Sequence, residues 1–186
     1  QKYFEPTPGG HTYASQLVKQ IADLNQGNYL HDVVETDNAP DFCIGVAGYP
    51  EKHMEAPSLP SDLRWLKHKV DLGADYIVTQ MFFDNRHYFA FVDECRKQGI
   101  TVPIIPGIRI LTNPRQLETI PRTFHCDIPA ALADEIGASP DHTRDIGVAW
   151  ATEQARELLE RGAPSAHFFV MASSRAVNAV LDQLNR

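Results

Sequence analysis

The chain has 186 residues, of which 43% are hydrophobic and 22% charged, and its formal net charge is −7. These values indicate one globular domain with a sizeable core, and no apolar run reaches the ~18 residues that a membrane span needs. The negative charge, without any cluster of Lys and Arg, argues against nucleic acid as a partner, because phosphate contacts require a positive face.

The first predicted element is a helix over residues 11–24. Its apolar side chains recur at i, i+4, i+8 and i+11 and so share one face: Tyr13, Leu17, Ile21 and Leu24. The following residues, 25–41, are polar and have no helical period. We predict a loop or insertion there.

From residue 42 onward, short apolar runs alternate with amphipathic helical segments. The runs predict strands, buried on both faces, at 42–49, 75–83, 102–110 and 166–171. The first intervening helix is predicted to start at Ser61 or Asp62, with Leu63, Leu66 and Val70 facing inward. Further helices are predicted at 86–98, from Asn113–Pro114 onward, at about 140–161, and at 174–185.

This alternation of strands and helices predicts a parallel α/β sheet made of β/α units. The first three strands begin at residues 42, 75 and 102, a spacing that fits either a doubly wound sheet or a (β/α)8 barrel. A whole barrel needs ~250 residues, so four strands with their helices amount to half of one.

In both architectures functional groups gather at the carboxyl ends of the strands. The predicted strand ends carry four polar or aromatic segments: 48–53, 80–84, 106–109 and 171–175. Tyr49 and His53 are equally compatible with an ordinary loop, and Phe82 and Phe83 are more typical of core residues than of a stacking platform.

Gln80 is harder to explain as structure alone. It lies near the end of a strand that is otherwise apolar, and a buried amide without partners costs about 1–3 kcal/mol. Its position at a carboxyl end favours a ligand as the partner.

Several common site motifs are missing. No GxGxxG follows a strand, there is no GxxxxGK[ST], and there is neither HExxH nor a strand HxH to suggest a metal site. Because these histidine motifs are missing, we predict no metal. No predicted strand end carries an in-strand lysine for a Schiff base, which disfavours an aldolase.

The three cysteines, Cys43, Cys95 and Cys126, occur in apolar contexts at unrelated spacings. Together with the lack of a recognisable secretory signal, this predicts reduced core thiols in a cytoplasmic protein.

Three longer segments are more specific: GYPEKHMEAPS, DLRWLKHKVDLGADYIVTQMFFD and IPGIRILTNPRQ. In this order they closely resemble the methylenetetrahydrofolate reductase family, and HTYASQLV fits the helix after that family's fourth barrel strand. The likeness extends from about Tyr13 to Met171. It implies a TIM (β/α)8 barrel of which this chain, as one partial barrel domain over 1–186, supplies roughly the second half, strands five to eight.

The resemblance also implies an activity. Members of this family are FAD-dependent oxidoreductases of one-carbon metabolism that use NADH or NADPH to reduce 5,10-methylenetetrahydrofolate to 5-methyltetrahydrofolate for methionine biosynthesis. The choice between NADH and NADPH has no fingerprint in this sequence.

The family's site residues carry over by position. Those implied in FAD binding are Tyr13, Ala14, Ala47, Tyr49, His53, Ala56, Asp62, Trp65, His68 and Lys69. Those implied in binding the folate are Gln80, Gln116, Ile120, at a position where some members carry a stacking phenylalanine, and Arg175, with Ser173 as the alternative at the last strand end.

The resemblance places the family's general-acid glutamate and flavin-proximal aspartate upstream of this sequence, so no catalytic residue is expected within it. We therefore expect the chain alone to bind FAD poorly and to be inactive. A half-barrel leaves sheet edges and an inner face bare, so association with an N-terminal half or with further copies is expected. The alternative is a non-catalytic half-barrel that serves as an assembly or interaction module.

Overall fold

The computed structural model describes residues 5–30, 38–171 and 173–185. Within them the helices are α1 (Ala14–Asn25), α2 (Leu59–Asp71), α3 (Asn85–Lys97), α4 (Gln116–Phe124), α5 (Ala130–Ala138), α6 (Thr143–Glu160) and α7 (Arg175–Leu184). The strands are β1 (Gly45–Gly48), β2 (Tyr76–Met81), β3 (Ile104–Ile108) and β4 (His167–Phe168), and a 3-10 turn, Pro140–His142, precedes α6.

The strands form one four-stranded sheet in the order β1-β2-β3-β4, and every neighbouring pair is parallel. Each connection between neighbouring strands contains at least one helix. The predicted parallel α/β architecture is thus confirmed. All four carboxyl ends lie along one edge of the sheet, where the predicted strand-end segments come together.

The prediction that the strands are buried on both faces is wrong for β1, β2 and β4, whereas β3 is buried except at the half-buried Ile105. In β1, Val46 and Gly48 are buried while Gly45 and Ala47 are exposed, and in β2 buried residues alternate with half-buried ones. The buried set packs with α2, α3, α6 and α7 in the main core, which includes Leu63, Leu66, Ile77, Phe91, Ile104 and Leu158. The helices therefore cover one face only, and we call the other the inner face.

Side-chain caps set the starts of two helices: α2 is not capped by the predicted Ser61 or Asp62, and α3 begins one residue before the predicted residue 86. The hydroxyl of Ser58 accepts a hydrogen bond from the backbone N–H of Ser61 at 3.3 Å, so α2 begins at Leu59, three residues before Asp62. In α3 the carboxylate of Asp84 accepts from the N–H of Arg86 at 2.9 Å. Both caps satisfy backbone donors that a helix start leaves unpaired.

The predicted inward face of α1 is also wrong in part. Val18 is its buried residue, whereas Tyr13 is 69% exposed and Leu17 is 49% exposed. Val18 and the half-buried Ile21 face the main core instead. The helical period was identified, but the angular position of the buried stripe follows from how α1 contacts α2, which the period does not encode.

Helix α5 has no counterpart among the predicted elements. Its apolar anchors, Leu132 and Ile136, are one turn apart and belong to a second, smaller core. That core joins side chains from the end of β2, from α4 and from the segment before α6: Met81, Phe83, Leu111, Ile120, Cys126, Leu132 and Ile136. Two anchors are too few to indicate a helix by period alone.

The segment predicted as a loop or insertion over 25–41 is only partly described. Helix α1 ends at Asn25, residues 26–30 and 38–41 contain neither helix nor strand, and residues 31–37 lie outside the described part. Just beyond it, Cys43 is exposed, so the prediction that all three cysteines are core residues is wrong for that one; Cys95 and Cys126 are buried. Among the described residues, no helix is long and apolar enough to cross a membrane.

Candidate functional site

A cavity of about 320 Å³ lies on the inner face between β1 and β2. We call it the inner-face cavity. Its lining combines strand residues with a loop tyrosine and an aromatic ring that follows β4: Gly45, Val46, Ala47, Tyr49, Tyr76, Val78, Thr79, Gln80 and Phe169. The β1 residues that line the cavity are small, and along β2 the buried residues alternate with half-buried ones that face the cavity. This leaves room for a flat ligand with polar groups at one end.

Gln80 lies at an irregularity of β2. Val78 pairs with Ile105, but Met81 already pairs with Gly107, so β2 has one more residue than β3 between these pairs. Such bulges re-aim side chains. The hydroxyl of Thr79 accepts from the N–H of Gly107 at 2.9 Å and holds the strands together at the bulge.

The side chain of Gln80 is half satisfied by the protein. Its Oε1 accepts a hydrogen bond from the N–H of Met81 at 3.0 Å, which fixes the orientation of the amide. Its Nε2 makes no hydrogen bond to the described part of the chain. The amide oxygen is therefore engaged by the backbone, and the two N–H donors of Nε2 are what the side chain offers to the cavity.

The loop after β1 is held in a compact turn. Lys52 has a positive φ of 84°, and its amine donates to the carbonyls of His53 at 3.1 Å and Ala56 at 2.6 Å. The carboxylate of Asp62 accepts from the N–H of His53 at 2.8 Å and ties the loop to α2. The sequence pattern gave no reason to single out Lys52, whose amine would be expected in solvent.

Tyr49 and His53 pack edge to face within this loop, with ring centroids 4.5 Å apart. Nδ1 of His53 accepts from the N–H of Glu55 at 3.2 Å, which leaves Nε2 as the ring's other polar atom. Burial, reinforced by the nearby charges of Asp62 and Glu55, raises the pKa of Tyr49. The phenol therefore stays protonated at neutral pH and can donate a hydrogen bond.

Lys69 extends from α2 to β1 and contacts Ala47, a residue of the inner-face cavity, without lining the cavity itself. Its amine donates to the carbonyl of Ala47 at 2.8 Å, next to the exposed floor of β1. Burial lowers its pKa, and the carboxylate of Asp62 opposes that shift. A partly desolvated cation is thus held beside the cavity, where an anionic group would be favoured.

The other predicted FAD residues lie toward the surface. Tyr13 and Ala14 begin α1, and the N–H of Tyr13 donates to the side chain of Gln16 at 3.0 Å. Trp65 is 63% exposed on α2 and packs edge to face with His68, with centroids 5.7 Å apart. None of these four residues lines the inner-face cavity.

Two predicted folate residues have structural contacts. Oε1 of Gln116 accepts from the N–H groups of Thr112 at 2.7 Å and Asn113 at 2.9 Å, and so closes the loop before α4. Ile120 is only 4% exposed and lies in the second core. The structure does not bring either of them to the lining of the inner-face cavity.

Arg175 lies elsewhere, at the start of α7, on a second cavity of about 370 Å³ beyond the ends of β3 and β4. Ser173, the alternative at this strand end, lines the same cavity, and its hydroxyl accepts from the N–H of Arg175 at 3.3 Å. Arg109 and Arg144 also line it. We call it the arginine cavity. Arg109 stood in a predicted strand-end segment, whereas nothing in the sequence pointed to Arg144.

The family model for methylenetetrahydrofolate reductase matches residues 1–185. The chain belongs to the methylenetetrahydrofolate reductase family. The family that the sequence motifs resembled is thereby confirmed.

Several family members are similar to this chain over most of its length. A probable methylenetetrahydrofolate reductase (NADPH) of Caenorhabditis elegans is 37% identical over 77% of this chain and 22% of its own length. Methylenetetrahydrofolate reductase (NADH) 1 of Arabidopsis thaliana is 34% identical, over 99% of this chain and 31% of its own. The 5,10-methylenetetrahydrofolate reductase of Pectobacterium carotovorum is 35% identical, over 77% of this chain and 49% of its own length. The chain thus spans less than half of each relative.

Among solved structures, the chain is similar to an uncharacterized protein from Clostridium thermocellum that binds two copies of 5-methyl-5,6,7,8-tetrahydrofolic acid. The TM-score is 0.54 at 19% identity, over 80% of this chain and 54% of that one. At this identity the likeness concerns the fold alone.

Proposed function

We propose that this chain forms strands five to eight of a TIM (β/α)8 barrel that reduces 5,10-methylenetetrahydrofolate to 5-methyltetrahydrofolate with NADH or NADPH, by means of FAD, in the cytoplasm. Family membership supports the reaction, and relatives named for NADPH and for NADH leave either reductant possible. The open inner face of a four-stranded parallel sheet supports the barrel. The ligand of the Clostridium thermocellum protein, a tetrahydrofolate, is of the proposed substrate class.

The residues of the inner-face cavity and two of their neighbours fit FAD; Lys69 and His53 lie outside the lining but contact the lining residues Ala47 and Tyr49. Ala47 and Gly45 form a floor without bulky side chains, and Lys69 holds a partly desolvated amine beside it. We assign Lys69 to the diphosphate, since an ammonium is a suitable point charge for phosphate oxygens, and Tyr49 and His53 to hydrogen bonds at the edge of the flavin. When bound, FAD supplies the hydride relay between NAD(P)H and the methylene carbon of the folate.

The observation that carries the folate assignment is the orientation of Gln80. With its oxygen engaged by Met81, the amide presents N–H donors to the cavity, where they can pair with acceptor atoms on the pterin edge. The proposed role is to position the pterin over the flavin. The protonated phenol of Tyr49 lies on the same lining and provides a further donor.

The test is a chimera in which this chain replaces the matching segment of the Pectobacterium carotovorum reductase. The chimera should bind FAD, seen as flavin absorbance, and reduce methylenetetrahydrofolate. Gln80→Leu should lower kcat/KM for the folate about tenfold to a hundredfold while flavin content is unchanged, because a buried polar group of the substrate loses its partner.

Gln98→Leu is the matched control, since Gln98 is an exposed residue at the end of α3. A folded chimera that neither holds FAD nor turns over would refute the proposed function. Full activity in Gln80→Leu would refute only the assignment of that residue. The 186-residue chain alone should hold little FAD and show no turnover, and stoichiometric FAD with full activity in it would overturn the half-barrel proposal.

A further inference from the structure

Two amide side chains lie buried where the start of α3 meets α6. Asn85 is the first residue of α3 and is 8% exposed, and Gln154 of α6 is 5% exposed. Nδ2 of Asn85 donates to the backbone carbonyl of Gln154 at 3.0 Å and to Oε2 of Glu157 at 2.7 Å. Nε2 of Gln154 donates to the carbonyl of Phe82 at 2.9 Å. Both amides therefore connect α6 to the segment that runs from β2 into α3.

Each of these amides leaves its oxygen unpaired. Oδ1 of Asn85 and Oε1 of Gln154 are buried, and neither has a hydrogen-bond partner in the described part of the chain. Turning the Asn85 amide by 180° would place its oxygen against the Gln154 carbonyl and the Glu157 carboxylate. Turning the Gln154 amide would place its oxygen against the Phe82 carbonyl. The two unpaired acceptors are therefore a property of the packing, and such buried groups are rare in folded proteins.

The partner that these oxygens need must supply hydrogen-bond donors or a positive charge, because both atoms are acceptors. It must also be small, since both oxygens are shielded from solvent by their surroundings. A cation is disfavoured, because Asn85 lies at the positive end of the α3 dipole and the carboxylate of Glu157 is already paired with Arg161 at 2.8 Å. A water molecule is neutral and small, and its two O–H donors match the two acceptors.

We propose that one internal water molecule occupies the contact between α3 and α6 and donates one hydrogen bond to Oδ1 of Asn85 and the other to Oε1 of Gln154. The water completes the polar link between the backbone that follows β2 and the carboxylate of Glu157. Neither amide lines the inner-face cavity, and the proposal does not depend on the reductase function.

The geometry makes this water separable from direct contacts. Asn85 hydrogen-bonds to the backbone of residue 154 and not to its side chain, whose own donor binds Phe82. A polar coupling between the two side chains therefore has to pass through the water. Because Asn85→Ala removes one of its acceptors and Gln154→Met removes the other, a double-mutant cycle detects it.

The first test is a crystal structure of the full 186-residue chain at a resolution that shows ordered water, which requires no variant. We expect one electron-density peak within about 2.6–3.2 Å of both oxygens. Separate waters on the two oxygens, or no peak at either, would overturn the proposal. The melting temperature should be the same in potassium chloride and in choline chloride. A melting temperature that depends on this choice would identify a bound cation and would also overturn the proposal.

The second test is urea unfolding of the two single variants and the double variant at one protein concentration. Each single variant should lower the equilibrium constant for folding. The double variant should keep a constant more than about twofold above the value expected from multiplying the single effects, because the shared water is lost only once. Single effects that multiply to within about twofold would contradict a shared water.

The control cycle combines Asn85→Ala with Trp150→Phe. Trp150 lies one turn before Gln154 in α6, and its indole N–H donates to the carbonyl of Phe83 at 3.0 Å. Trp150→Phe thus also removes one hydrogen bond to the backbone after β2, but it removes no unpaired oxygen. The effects in this cycle should multiply. Equal coupling in both cycles would assign the coupling to packing against α6 and would contradict the proposal.

Discussion

At the scale of single residues, Glu51 shows how burial changes the pKa of a carboxyl group. It follows β1, and its Oε2 accepts from the N–H of Asp127 at 2.6 Å, while its Oε1 is buried without a partner in the described part of the chain. Burial raises its pKa; Asp127 and Asp84 add to the shift as charges, and the hydrogen bond from Asp127 and the charge of His87 oppose it.

A raised pKa in the folded state makes the folded protein hold this proton more tightly than the unfolded chain does. The contribution of Glu51 to stability is therefore fully present below its ordinary value of 4.5 and is lost as the pH rises through the raised pKa. We predict that Glu51→Gln flattens the decline of the unfolding free energy above that value. The measurement is urea denaturation across a pH series.

Glu55→Gln provides the charge control for this experiment, since Glu55 is an exposed carboxylate of the same loop. The difference between the two variants isolates the effect of burial from that of net charge. Parallel profiles for Glu51→Gln and wild type would contradict the prediction.

At the scale of elements, α6 is joined to the end of β2 by two side-chain hydrogen bonds. The indole N–H of Trp150 donates to the carbonyl of Phe83 at 3.0 Å, and the amide of Gln154 donates to the carbonyl of Phe82 at 2.9 Å. Both bonds engage the backbone that follows β2. They fix the strand end that carries Gln80, so the position of the candidate site depends on this helix.

Gly147 sets how closely α6 approaches the sheet. A Cβ at this position would lie 1.9 Å from the backbone oxygen of Leu111, which has no freedom to move aside as a side chain would. We predict that Gly147→Ala destabilises the protein by about 1–3 kcal/mol, although alanine is the better helix former by about 1 kcal/mol. Thermal and urea unfolding measure the change.

Gly137→Ala is the matched control. Gly137 lies in α5, and a Cβ there would have no atom within 4 Å. Helix propensity then acts alone, and the variant should be stabilised by about 0.5–1 kcal/mol. If both variants moved in the same direction, close approach at Gly147 would not be the controlling factor.

At the scale of the whole molecule, the open inner face determines how the isolated chain associates with partners. Val78, Tyr76 and Ile105 are only half-buried in a sheet whose other face packs against the helices in the main core. An uncovered apolar sheet face favours association with a partner that covers it. This observation also supports the alternative function, a non-catalytic half-barrel that acts as an assembly module.

We predict that the pure 186-residue chain self-associates through this face, and that Val78→Lys reduces the association because a charge on the inner face must stay hydrated. Size-exclusion chromatography with light scattering and flavin absorbance measures both properties. A coloured species favours the reductase and a colourless oligomer the assembly module.

Leu159→Lys is the control, since Leu159 is an exposed residue of α6 on the opposite, helical side of the sheet. A chain that remains monomeric at all concentrations, or one that loses association equally in both variants, would contradict the role of the inner face.

The sequence by itself determined the parallel β/α order and the family, because these depend on local patterns: apolar runs, helical periods and an ordered set of motifs. It also singled out Gln80 as a candidate, and the role of that residue stays a prediction. Only the tertiary structure decided which face of each strand is open, that Val18 rather than Leu17 is buried, and that Cys43 is exposed. Burial depends on which element covers a surface, and periodicity does not encode that. For the same reason the meeting of Arg109 and Arg144, which lie 35 positions apart on separate elements, became visible only in the folded chain.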